Sequence, residues 1–188
     1  MASGFAYIVP MKGPMIARLR PLFAFISAAV LAAGAHGAEN VRHGNGPTGD
    51  HDIIVQLRAD AEQGNVKAQY VLGCCYNGDH GFAREPAQAA KWWGVAAANG
   101  MAEAQFCVGL SCFMGEGVPK DASLAVKWWR MAAAQDHPDA QYFLGLSYHT
   151  GLGAPKDNTQ AIYWLRKSAS HGSKAASDQL KEITSAPG

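Results

Sequence analysis

Four cysteines, seven histidines and two serines preceded by Gly-Leu carry whatever chemistry this 188-residue chain could perform, and their spacing restricts it. A structural zinc site needs several donors on one short stretch, as in Cys-x-x-Cys, His-x-x-x-His or His-x-x-Glu-His. None of these spacings occurs. Asp50-His51-Asp52 is the one compact cluster, and it lies where a helix start calls for capping carboxylates, so capping is the reading. His80, beside Asp79, reads as an exposed loop residue. Ser111 and Ser147 lack the second glycine of a nucleophile elbow, and no base stands near either in sequence. The expectation is no catalytic residue, no metal and no cofactor.

What positions these residues is a repeat. Ala68-Gln69, Ala104-Gln105 and Ala140-Gln141 recur every 36 residues, and the same shift aligns Leu72-Gly73, Val108-Gly109 and Leu144-Gly145. It also aligns Gly81, Gly117 and Gly153, then Ala89, Ala125 and Ala161, then Trp92, Trp128 and Trp164. A period of 20–50 residues marks a unit that cannot bury its apolar face alone and stacks on copies of itself. Ala68, Leu72 and Tyr76 fall four apart, and Ala89, Trp92, Trp93 and Ala96 follow helical spacing, so each unit is predicted to be two helices. Gly115 to Pro119 and Gly151 to Pro155 break the chain between them, and Asp121 and Asp157 stand at the N-cap of the second helix, with Glu85-Pro86 in that place in the first unit. The interior glycines at 73, 109 and 145 cost about 1 kcal/mol each in a helix, which predicts close approach of the partner helix and its tryptophan.

The fold class is therefore all-α, an α-solenoid of antiparallel helix pairs, with repeats at about 61–96, 97–132 and 133–168 and partial caps at 51–60 and 169–184. The pattern Ala-Gln, Leu-Gly, Gly-x-Gly-Val-Pro-Lys-Asp, Trp-Trp and Ala-Ala resembles the Sel-one-like repeat, a relative of the tetratricopeptide repeat. Repeat one departs from it at Asp79 and Phe82-Ala83, and repeat two has Cys112 where a tyrosine is expected. The resemblance implies a protein-binding array whose first helices line the concave face. Some cysteine-rich relatives are described as acting on β-lactams, but no Ser-x-x-Lys occurs in this chain.

On that concave face the residues out of phase with Ala68, Leu72 and Tyr76 form rows across the stack. Tyr70, Phe106 and Tyr142 make an aromatic row, with Leu110 and Leu146 beside it and Glu103 and Asp139 at its edge. This is read as a groove for an apolar peptide or helix, although such a row also serves to seal neighbouring helices together. Phe113 and Met114 of the central unit, and His149 of the third, complete the candidate surface. Stacking brings Cys112 level with Cys75, the best candidate disulfide, against the alternative of small buried thiols.

Ahead of the repeats, Lys12, Arg18 and Arg20 precede an apolar run at 22–33 and the small-residue stretch Gly34-Ala35-His36-Gly37-Ala38, the pattern of a secretory signal peptide over residues 1–37. Cleavage after Ala35 and after Gly37 both fit, and Met11 opens a more ordinary signal than Met1. Residues 38–50 read as a flexible linker. Removing 1–37 takes away three basic residues and no acidic one, moving the formal net charge from +1 to −2. That balance argues against nucleic acid and against anionic membranes. The expected protein is periplasmic and non-enzymatic, with a protein partner: an envelope sensor to regulate, or a toxin effector to neutralise as an immunity protein.

Overall fold

The computed structural model describes residues 47–79 and 82–185; the expected signal peptide, residues 38–46 of the expected linker, and His80 lie outside them. Eight helices run through the described residues: α1 Pro47–Glu62, α2 Val66–Tyr76, α3 Pro86–Ala98, α4 Ala102–Met114, α5 Ala122–Ala134, α6 Pro138–Thr150, α7 Asn158–Ser170 and α8 Lys174–Ser185. α1 begins at Pro47, inside the segment read as a linker. Proline suits a first helical turn, where its missing N–H has no intrahelical partner to lose. Asp50-His51-Asp52 thus falls within α1.

Each helix packs chiefly on its chain neighbours before and after it, so a first helix (α2, α4, α6) is held between two second helices. α1 and α8 extend the alternation by sequence register. Ala61 is buried as Ala97 and Ala133 are, and Ala176 as Ala68, Ala104 and Ala140 are. They close the ends of the stack.

The interior glycines do what their cost predicts. A Cβ on Gly73 would lie 2.5 Å from the Trp93 ring, one on Gly109 2.3 Å from Trp129, and one on Gly145 2.7 Å from Leu165. The second residue of each Trp-Trp or Trp-Leu pair fills this contact, while Trp92, Trp128 and Trp164 remain half-buried. The loops make a second close approach: a Cβ on Gly117 would stand 2.1 Å from the Pro86 carbonyl oxygen, and one on Gly153 2.3 Å from that of Ala122. Each loop therefore rests on the N-terminus of the second helix one unit back.

The Ala-Gln pair has an equally concrete cause. Gln69, Gln105 and Gln141 are buried, and their side-chain amides donate to the carbonyls of Ala61, Ala97 and Ala133 at the end of the preceding second helix. Asn99 and Gln135 donate in turn to the carbonyl oxygens of Gln69 and Gln105. The first two rungs thus tie a first helix to both flanking second helices. In the third unit exposed His171 takes the place of Asn99, and the Gln141 oxygen is left without a partner among the described residues.

Helix ends follow the sequence. Asp121 accepts from the Leu124 amide, and Asp157 from those of Thr159 and Gln160, whereas Glu85 makes no side-chain cap. Gly64, Gly100 and Gly172 turn the chain with positive φ between units, and at the same position Asp136 adopts φ 60°. Its carboxylate accepts from Lys167 at 3.0 Å and Gln141 at 3.1 Å, which holds a conformation that glycine adopts freely.

Candidate functional site

On the first helices, most of the residues read as a groove are core. Phe106 is 2% and Tyr70 7% exposed, and Leu110 and Leu146 are also buried. Phe106 lies 5.7 Å from Phe143 and stacks on His137 at 4.9 Å. The aromatic row as an open groove is therefore corrected at these four positions: the first helices are covered around most of their circumference, with nine of the 13 residues of α4 buried. Burial and the neighbouring Cys107 and Cys74 push the Tyr70 hydroxyl far above its usual range. What remains reachable is an edge. Phe113, Met114, Tyr142 and His149 are half-buried, Asp139 borders them, and Glu103 is exposed. Phe113 leans on Trp129 at 5.5 Å, which fixes its ring, and His149 Nδ1 lies 3.2 Å from Asn158 Oδ1.

All four cysteines are free and buried, so the expected Cys75–Cys112 bridge is absent. The residues equivalent to Cys112, Tyr76 and Tyr148, reach Arg58 and Arg130 on the preceding second helix. That position faces back one helix and not across to Cys75. Burial raises every thiol, Cys74 to about 12 and Cys75 to about 11, so none is a thiolate at neutral pH. Ser111 and Ser147 are buried in helices, and the Ser147 hydroxyl donates to the Phe143 carbonyl. Among the described residues no group of three or more His, Cys, Asp or Glu could hold a metal ion, and no helix is long and apolar enough to cross a membrane.

His137 combines two roles at the junction of the second and third units. Its Nδ1 accepts from the Ala140 amide, capping α6, while its ring packs on Phe106. Burial lowers its pKa, against the opposing pull of Asp139 and Glu103; burial also raises the Asp139 carboxyl.

The second helices carry a surface that chain-wide charge concealed. α3, α5 and α7 bear Lys91, Lys127, Arg130, Arg166 and Lys167, and no acidic residue. Lys91 sits 5.7 Å from the Trp92 ring centre and Lys167 5.8 Å from that of Trp164. Exposed Val95 and Met131 share one row. The signal was present in the sequence as three 13-residue helices without a carboxylate, and it disappears once the acids of the loops and end helices are averaged in.

An alternating stack of helix pairs, with glutamine rungs and glycine contacts repeated at 36 residues, defines the class as a short α-solenoid of protein-interaction type. The Sel1 repeat model matches residues 66–101, 102–137 and 138–173, and the chain belongs to the Sel1 repeat family. A Sel1 repeat protein from Oxalobacter formigenes is 34% identical, with a TM-score of 0.63 over 69% of this chain and 98% of its own. A protective antigen of uropathogenic Escherichia coli displaying an SLR fold is 35% identical, with a TM-score of 0.65; the match covers 69% of this chain and 28% of that one. Cysteine rich protein B of Helicobacter pylori, at 20% identity and a TM-score of 0.54 over 68% and 97%, shares the fold. No curated protein sequence matches. Sel1 repeat proteins generally mediate protein–protein interactions and are typically non-enzymatic scaffolds.

Proposed function

We propose that this protein is an exported, periplasmic binding module that holds or inhibits one protein partner, acting as a regulator or adaptor. The observation that carries the reading is the edge of the first-helix face. Phe113 and Met114 of the central unit stay half-open there, at the C-terminal end of α4, with the Phe113 ring against Trp129. A rigid aromatic anchor near the middle of an array is the residue type and place that dominate protein interfaces.

A photo-crosslinking amino acid at position 113, with one at exposed Glu182 as control, tests the edge in living cells. A discrete adduct from 113 and none from 182 is expected, and equal yields from both would sink the reading. Export is checked separately, by fusing alkaline phosphatase to the C-terminus of the full chain. The pattern at 12–38 predicts an active reporter, and an inactive one refutes the periplasmic assignment.

A further inference from the structure

We infer that the exposed face of α3, α5 and α7 is a second docking surface, for an acidic protein segment carrying apolar side chains. Five cations without a carboxylate on three alternate helices, the second helix of each unit, give the face one sign. Of the nearby acids, Asp121 and Asp157 accept amides at N-caps and Asp136 is held by Lys167, while exposed Glu85 makes no cap. Lys91, Lys127 and Arg166 are in no ion pair among the described residues. A carboxylate-bearing segment would supply the missing partners.

The face is also apolar where the fold does not require it. Met131 is 47% and Tyr163 51% exposed, with Leu124 and Val95 near them, and half-buried tryptophans flank the rows. Trp, Tyr, Met and Arg are the residue types enriched at protein interfaces. A lipid surface fits less well, because the N-cap carboxylates of Asp121 and Asp157 and the exposed Glu85 border the patch, and a broad anionic plane would meet them. A narrow segment avoids them. α3, α5 and α7 pack on the first helices that lie between them in the chain, so a segment that meets the cations of all three must cross the whole face.

The probe is an acidic helical peptide of about 20 residues, roughly 30 Å long, with Glu on one side and Leu and Tyr on the other; its counterpart has Lys in place of every Glu. Binding is followed by intrinsic tryptophan fluorescence on the folded full-length chain. The acidic peptide is expected to bind, with affinity falling in salt and dropping about tenfold in Lys127→Glu/Arg166→Glu. Lys127→Gln/Arg166→Gln should fall between, and Lys156→Glu, on a loop, should match the parent. Equal binding of the lysine peptide, or no effect of charge reversal in a variant with unchanged circular dichroism, overturns the inference. So does binding of phosphatidylglycerol vesicles in preference to the peptide, or self-association that Lys127→Glu/Arg166→Glu abolishes. The inference rests on the protein-binding reading but on the opposite face. Phe113→Ala should therefore leave peptide binding intact, and crosslinking at 113 with no peptide binding would sink this surface alone.

Discussion

The two kinds of helix in each unit use their apolar residues in opposite ways. First helices spend them inward: Phe106, Leu110 and Leu146 are core, on helices buried around most of their circumference. Second helices bury a narrower stripe, led by Trp93 and Trp129, and leave Val95, Met131 and Tyr163 in water among cations. Regular spacing of aromatic residues therefore marks packing on one layer and exposure on the other. Helices of both layers have a neighbour before and after; what decides is how far around each helix those neighbours reach, with nine residues buried on α4 and five on α5.

The sharpest way to break this contrast is Phe106→Ala, expected to cost about 3–5 kcal/mol as a fully buried aromatic. Urea unfolding measures it, and a loss below 1 kcal/mol would return Phe106 to the surface. Next come two glycines. Gly109→Ala forces a Cβ into Trp129 and should destabilise by about 1–3 kcal/mol. Gly94→Ala, where nothing lies within 4 Å, should instead stabilise by roughly 0.5–1 kcal/mol through helix propensity. Opposite signs in thermal unfolding confirm the contrast, and like signs refute it.

A smaller effect concerns His137. Its folded pKa is depressed by burial, so between that value and the unfolded one, about 6.5, the unfolded chain binds more protons and stability falls as pH falls. The same protonation removes the acceptor that caps α6. His137→Asn, matching Asn65, which caps α2 by the same bond, should flatten the pH profile of the melting temperature across that window. Smallest of all is Lys127→Gln, expected to leave the unfolding midpoint unmoved while weakening the acidic peptide; a lower midpoint would place Lys127 in the fold.

The period, the helix pairs, the aspartate caps and the glycine contacts were all legible because each is a local rule repeated three times. Gly73 and Gly109 even announced their tryptophans, although the second of each pair fills the contact. Burial of Tyr70 and Phe106 was not legible, since helical spacing locates a face without saying how far around the helix its neighbours reach. The bridge between Cys75 and Cys112 failed for a related reason: equal height along an axis does not fix direction, and Tyr76 and Tyr148 show the position turning backward. The basic face escaped notice because whole-chain charge sums over surfaces that point apart.

The glutamine rungs give the array a polarity. Stability in a stack is a sum over neighbouring junctions, and the junction at Gln141 lacks the donor that Asn99 and Gln135 supply to the earlier ones. Opening fluctuations therefore start where α7 and α8 meet the third unit and travel toward α2, as a zipper parts from its loose end. Backbone amides of α8 should exchange with solvent first, those of α4 later and those of α2 last, so the chain frays in one direction.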